Sequence, residues 1–156
     1  MLLVHLSPLL IGTLIGLLLI VHVFGYRAAR GGWAMLLLVT AATWWCLTYA
    51  LEIANPALES KLFWAKIQYL GILSIPPAWS ILLTEFRGLP SRIAHPGRLY
   101  ALLWLIPAVS LSLVWTNELH HLIWREVSPI VQGTYSLLRY DHGPGFWLSA
   151  AYGYAL

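Results

Sequence analysis

The chain has 156 residues, of which 60% are hydrophobic and only 10% charged, with a formal net charge of +3. A soluble domain carries about 25% charged residues, so there is too little charge here to cover a soluble globule, and the apolar residues come in long runs. The basic residues form no stripe interleaved with aromatics, which excludes a nucleic-acid groove. The lone cysteine, Cys46, excludes an intrachain disulfide and a multi-cysteine metal site.

In hydrocarbon every backbone N–H and C=O must be satisfied within its own segment, so each run of roughly 20 apolar residues reads as a helix. The first, 2–24, lacks the basic start and the small-residue cleavage site of a signal peptide and is expected to remain as a spanning helix. Gly12 and Gly16 on one of its faces would let a neighbouring backbone come close. A turn with Arg27, Arg30, Gly31 and Gly32 leads to a second run, 33–53, which Asn55 and Pro56 end. The third, 62–86, contains Pro76 and Pro77. A polar loop with Gly88, Pro90, Pro96 and Gly97 precedes a short fourth run, 99–115, and a long polar stretch, 116–144, comes next. A last apolar run, 145–156, is too short to cross a core of roughly 30 Å and reads as the start of a helix. The expected fold is an all-α polytopic bundle of four transmembrane helices plus a partial fifth, one domain over 1–156.

Inside the polar stretch, 123–127 and 134–140 are rich in β-branched and aromatic residues, with Ser128, Pro129, Gln132 and Gly133 between them. This predicts a short β-hairpin over the outer mouth of the bundle. Arg27 and Arg30 in the first loop, and Arg87, Arg92 and Arg98 in the third, put the basic residues of the short loops on one side, which the positive-inside rule makes cytoplasmic. The N-terminus and the stretch 116–144 then face outward. Trp33, Trp64, Trp115 and Trp147 fall near helix ends, where indole rings prefer the interface.

Several residues carry possible chemistry. Lys66 lies inside the outer end of the third helix, where a charge must snorkel or pair. Glu52, at the outer end of the second helix, is its nearest candidate partner; the two form either a structural pair or a ligand-facing ammonium with its counter-ion. Gln68 and Tyr69 suit interhelical hydrogen bonds or ligand contacts. Pro76 and Pro77 free the carbonyls of Ile72 and Leu73, giving a static kink or a signalling hinge, with Trp79 expected to pack against it. Asn117 and His120 suit hydrogen-bonded structural roles. Glu118, His120, His121, Asp141 and His142 gather at the two ends of the long stretch, but their spacing matches no zinc pattern and no metal is expected. A pH response through imidazole protonation is a further option. Trp44, Trp45, Tyr49, Tyr69 and Trp104 either fill the core, the preferred reading, or line a pocket for an apolar molecule.

Read in order, the motifs are Trp64-Ala65-Lys66-Ile67-Gln68-Tyr69-Leu70-Gly71, Pro76-Pro77-Ala78-Trp79, Thr84-Glu85-Phe86, the run from Thr116 and Asn117 through His120 to Trp124, and His142-Gly143-Pro144-Gly145-Phe146. Together, from about Trp33 to the last residue, they resemble the N-terminal seven-transmembrane region of bacterial histidine kinases. The resemblance implies a sensory input module of a two-component system in the bacterial inner (plasma) membrane. Such a module detects an extracytoplasmic or membrane-borne stimulus and relays it by helix movement to a cytoplasmic output domain, which this chain does not contain. It also implies the lipid bilayer and an unknown small ligand as partners, a homodimer when intact, no cofactor and no nucleic acid. No histidine has a phosphoacceptor setting and no glycine loop for ATP is present, so no catalytic residue is assigned. A small-solute transporter fragment is the alternative from another class; it should show repeats with broken helices in matching halves, and one double-proline break is seen. A truncated remnant without function is the third reading.

Overall fold

The computed structural model describes residues 2–87, 96–132 and 135–156. Helices α1 (Leu2–Gly25), α2 (Gly32–Ala54) and α3 (Leu58–Arg87) follow one another through short turns. Next come α4 (Pro96–Leu103), α5 (Leu105–Trp115) and a single turn, α6 (Asn117–His120). An antiparallel hairpin of β1 (Trp124–Gln132) and β2 (Tyr135–His142) leads into α7 (Pro144–Ala155). Among the described residues four stretches are long and apolar enough to cross a membrane: Val4–Gly25, Gly32–Ala54, Leu58–Arg87 and Gly97–Trp115. The loop residues Gly88, Pro90 and Arg92, and Gly133 and Thr134 of the expected hairpin, lie outside the described residues.

The helices approach closely where side chains are smallest. A Cβ placed on Gly16 would overlap the side chain of Thr43, and one on Gly12 would stand 3.5 Å from Cys46 Sγ, so the glycine face of α1 lies on α2. Between α2 and α3 the same part is played by Gly71, whose added Cβ would come within 2.6 Å of the Ala41 carbonyl oxygen. Buried hydroxyls at these faces do not need cross-helix partners. Thr13, Thr43 and Thr48 donate to the carbonyls of Leu9, Val39 and Trp44 in their own helices at 2.7–2.8 Å. A polar group satisfied within its own helix can be buried at a packing face without cost to the neighbour. Outside this seam α1 presents an exposed apolar surface of Leu10, Ile11, Leu14, Ile15, Leu17 and Leu18.

Two apolar clusters close the ends of the bundle. Ala34, Ile81 and Leu82 pack at one end, near the α1–α2 turn, where the Gly31 N–H donates to Glu85 Oε2 at 2.8 Å. Ala65, Tyr69, Val114, Ile123 and Trp124 pack at the other, directly beneath the hairpin.

Three features differ from the sequence reading. The expected single helix 99–115 is two, α4 and α5, joined at Trp104. Pro107 has no N–H to offer the Leu103 carbonyl, and the Tyr152 hydroxyl of α7 donates to that carbonyl instead, at 2.6 Å. The hairpin strands run further than expected: Ser128 and Pro129 stand inside β1, opposite Arg139 and Leu138, rather than in the turn. In a two-stranded sheet every strand is an edge, so a proline whose missing donor faces outward costs no ladder bond. Trp44, Trp45 and Tyr49 are 40%, 42% and 36% exposed, so of the aromatics expected in the core only Tyr69 is buried, with Trp104 half-buried.

If the glycine seam sets the α2–α3 spacing, Gly71→Leu forces the helices apart. Overpacking of this kind costs about 1–3 kcal/mol, so reversible unfolding in detergent micelles should show a loss of that size, whereas Gly97→Leu, with open space around its Cβ, should leave stability unchanged.

Candidate functional site

The chain's buried charges and hydrogen bonds converge where the hairpin meets the tops of α2 and α3. Lys61 and Gln68 are seven residues apart on α3, almost two full turns, so they project from the same face. Ala65 lies between them, and that face meets the C-terminal end of α2. Lys61 is 1% exposed, and its Nζ donates to the carbonyls of Glu52 at 3.0 Å, Ile53 at 3.3 Å and, across the chain, Ser136 of β2 at 2.7 Å. An ammonium has three protons, and all three are used. Two of the acceptors are last-turn carbonyls of α2, which have no partner within the helix and sit at the negative end of its dipole.

Glu52 is 3% exposed. One carboxylate oxygen accepts the Gln68 Nε2–H and the other accepts the Tyr140 hydroxyl at 3.0 Å. Tyr140 belongs to β2, so the hairpin touches α2 through a side chain as well as through the Lys61–Ser136 bond. Burial, and then the Glu52 carboxylate facing it, push the Tyr140 phenol well above its ordinary value, so it stays a donor at any working pH. Tyr69 and Trp124 extend the network. The indole Nε1 donates to Tyr69 Oη at 3.2 Å with the rings edge-on, and Trp124 stacks against Tyr140 with centroids 5.3 Å apart.

Trp124 can reach this position because of a bulge. Trp124 pairs with His142 while Glu126 pairs with Asp141, so Arg125 is the extra residue. A bulge of this kind re-aims neighbouring side chains, and here it puts the indole inward. Asn117 fixes the base of the strand: its Oδ1 accepts the N–H groups of Ile123 (2.9 Å) and Trp124 (3.0 Å), and its Nδ2 donates to the Trp124 carbonyl at 2.9 Å. His120 accepts the Leu122 N–H on Nδ1 at 3.0 Å, so its proton is on Nε2, facing Thr116 Oγ1 at 3.1 Å. Gly143 closes the other end. A Cβ there would overlap the Leu122 carbonyl, and its N–H donates to the Ile123 carbonyl at 2.8 Å.

The expected Lys66–Glu52 pair is not formed. Helix α3 begins at Leu58, and Lys66 lies about 140° round it from Lys61. Lys66 therefore points toward α5 and α6 and bonds Glu118 Oε1 at 2.6 Å, leaving Glu52 to Gln68, Tyr140 and the field of Lys61. The Lys66 hydrogen bond holds the Glu118 carboxyl below the usual carboxylate range. Helix α3 continues through Pro76 and Pro77; Pro77 is fully buried, and Pro76 meets α7, where a Cβ on Gly153 would stand 3.2 Å away. Trp79, expected to pack against the prolines, is 46% exposed. Of the residues singled out from sequence, Glu52, Gln68, Tyr69 and Asn117 share this site, Lys66 and His120 form its rim, and Pro76, Pro77 and Trp79 lie lower on α3.

Sequence reading missed Lys61, Tyr140 and Trp124. Lys61 stands one residue before the expected start of its helix, 62–86; the seven-residue spacing to Gln68 is the signal that could have found it. Tyr140 and Trp124 depend on hairpin register, which a two-strand pattern with a bulge does not fix. Among the described residues no group of three His, Cys, Asp or Glu is placed to hold a metal ion.

This arrangement is that of a helical membrane protein with four helices long and apolar enough to span a membrane and a polar cap over one end. Residues 8–156 match the family described as the N-terminal 7TM region of histidine kinase. The chain belongs to that family, whose description points to the sensory input region of histidine kinases. Comparison with curated proteins and with solved structures gave no match.

Two outcomes test the site. Asn117→Ala leaves two buried N–H groups without an acceptor, each costing about 1–3 kcal/mol, so amide hydrogen exchange at Ile123 and Trp124 should accelerate before that of the helices. The Lys66–Glu118 pair stabilises the fold above the ordinary carboxyl range, around pH 4, and that contribution is lost as pH falls through the lowered folded value. Wild type and Glu118→Gln should therefore differ in unfolding midpoint at neutral pH and converge in strong acid.

Proposed function

We propose that this chain is the input module of a signal-transducing histidine kinase, and that its hairpin end receives the stimulus. The observation that carries this reading is the pair of bonds joining the hairpin to the helices, Tyr140 to Glu52 and Lys61 to the Ser136 carbonyl. Displacing the hairpin must then move the C-terminal end of α2 or the start of α3. The arginines at the opposite end, Arg27, Arg30, Arg87 and Arg98, support a cytoplasmic position for that end by the positive-inside rule. The hairpin and the N-terminus then face outward across a bacterial plasma membrane.

In this reading Gln68 and Tyr69 sense hairpin position through Glu52 and Trp124. Lys66, Asn117 and His120 hold the frame against which it moves, and Pro76 and Pro77 form the hinge of α3. Pro76 lies against Gly153 of α7, so a bend at the prolines is felt by the helix that follows the hairpin. An extracytoplasmic or membrane-borne stimulus thus becomes a helix displacement toward a cytoplasmic output domain.

The test uses the product of the whole gene in native membrane vesicles. Tyr140→Phe removes one hairpin-to-helix bond and should shift basal autophosphorylation about 5-fold or more, the size of a typical coupling between sites, with membrane insertion unchanged. In a Cys46→Ala background, Val131→Cys should react with an impermeant maleimide in intact cells, and Ala28→Cys should react only after lysis. Reversed labelling overturns the orientation, and an unchanged phosphorylation level in Tyr140→Phe overturns the role of the hairpin.

A further inference from the structure

We propose that Glu52 is a proton-binding site, and that the stimulus this module reads is acidification on the hairpin side of the membrane. The inference rests on the reading of the chain as a sensor and names what it senses.

The first observation is that both Glu52 oxygens face donors, the Gln68 amide and the Tyr140 hydroxyl, so the site is built for the ionised carboxylate. A proton placed on either oxygen opposes one of them, and that bond must be lost or its donor turned round. The second observation is Lys61. It is almost fully buried, and its protons go only to neutral carbonyls, so the Glu52 carboxylate is the charge that balances it. Neutralising Glu52 leaves a buried ammonium uncompensated. Relief comes by exposing Lys61 to water, and the only one of its acceptors outside the α2 end is Ser136 of the hairpin. Protonation at Glu52 therefore removes the charge that holds Lys61 in place, and the hairpin bond released is the one to Ser136.

The third observation is a route for the proton. A polar cavity of about 330 Å³ on the hairpin is lined by Glu126, Ser128, Arg139, Tyr140 and Asp141. Tyr140 lines this cavity and its hydroxyl bonds Glu52, so a single residue lies between the cavity and the buried carboxylate. The other groups facing the site are Tyr49 on α2, Tyr69 on α3 and His142 beside Tyr140 on β2. The tyrosines are neutral and His142 packs on Phe146 at 3.7 Å between centroids, so Glu52 and Lys61 are the charges at the centre.

The experiment places the full chain, Cys46→Ala, in liposomes with a single reporter cysteine. Ser136→Cys keeps the backbone carbonyl that Lys61 holds, and Val131→Cys, 72% exposed, gives the reference rate that removes the thiol's own pH dependence. The ratio of maleimide labelling at 136 to that at 131 should rise by up to about tenfold for each unit that the pH falls toward the opening midpoint, and level off below it. In Glu52→Gln the ratio should be high at every pH. In Glu52→Gln with Lys61→Met both charges are gone, and protection should return without pH dependence.

A wild-type ratio that stays flat between about pH 8 and pH 4.5 overturns the proposal; so does a pH response that survives Glu52→Gln, which would belong to the imidazoles. The wild-type titration decides even where a variant does not fold. Labelling reads the hairpin directly, so acid opening without any change in kinase output would keep Glu52 as a proton-binding site and overturn acidification as the stimulus, together with the sensory reading.

Discussion

The hairpin end depends on how a buried lysine is satisfied. A charge taken out of water is costly unless paired and hydrogen-bonded, and Lys61 meets that condition with backbone oxygens at the end of α2 and on β2. This fixes three things together. The α2–α3 turn must be tight enough for the ammonium to reach back nine residues. Glu52 must be near enough to balance the charge. The hairpin must fold down over the bundle, because the remaining proton needs Ser136. Without the hairpin, Lys61 would lose an acceptor and Glu52 would lose Tyr140. The cap is therefore part of the membrane helices' polar accounting and not a separate appendage.

The rest of the bundle follows a different rule. Away from this end the helices touch through glycine and through threonines that bond within their own helix. Lipid tails are as apolar as leucine, so helix association in a membrane relies on close packing and a few polar contacts. A seam of this kind holds the spacing of α1, α2 and α3 while adding few directional bonds that would resist sliding. Directional bonds are dense at the hairpin and recur at the Arg30–Gly31–Glu85 contact at the other end, with single cross-helix bonds from Trp44 to the Ile67 carbonyl, between Ser110 and Ser149, and from Tyr152 to the Leu103 carbonyl between them.

What could be read from the sequence follows from the range of each signal. Runs of apolar residues are local, so the helices were legible, including the glycine seam of α1. The pair Gly143–Pro144 was legible as the start of a helix, since proline at the first position fits a helix and the glycine allows the chain to pass close to Leu122. Polar partners were not. Lys66 and Glu52 looked like a pair because both lie near the same end of adjacent helices, but α3 starts earlier than its hydropathy suggests, at Leu58, and the rotation of a helix decides which lysine faces inward. The split of the fourth run was available in Pro107, yet its consequence depends on Tyr152, forty-five residues later, whose hydroxyl takes the carbonyl that the proline leaves free.

The placement of Asn117 and Trp124 adds a further step. Asn117 makes three bonds to the backbone of Ile123 and Trp124, closing a loop that otherwise has only the one-turn α6 to shape it. That clamp holds the bulge at Arg125, the bulge turns Trp124 inward, and the indole then bonds Tyr69 and stacks on Tyr140. A rigid base and a bonded tip divide the hairpin into two parts with different freedom. Strand β1 is tied at its root to α5 and α6, whereas β2 is tied to α2 and α3 through single contacts at Ser136 and Tyr140. Each tie of β2 to the helices runs to a charged side chain, Lys61 or Glu52, whereas the Asn117 clamp at the root of β1 carries no charge.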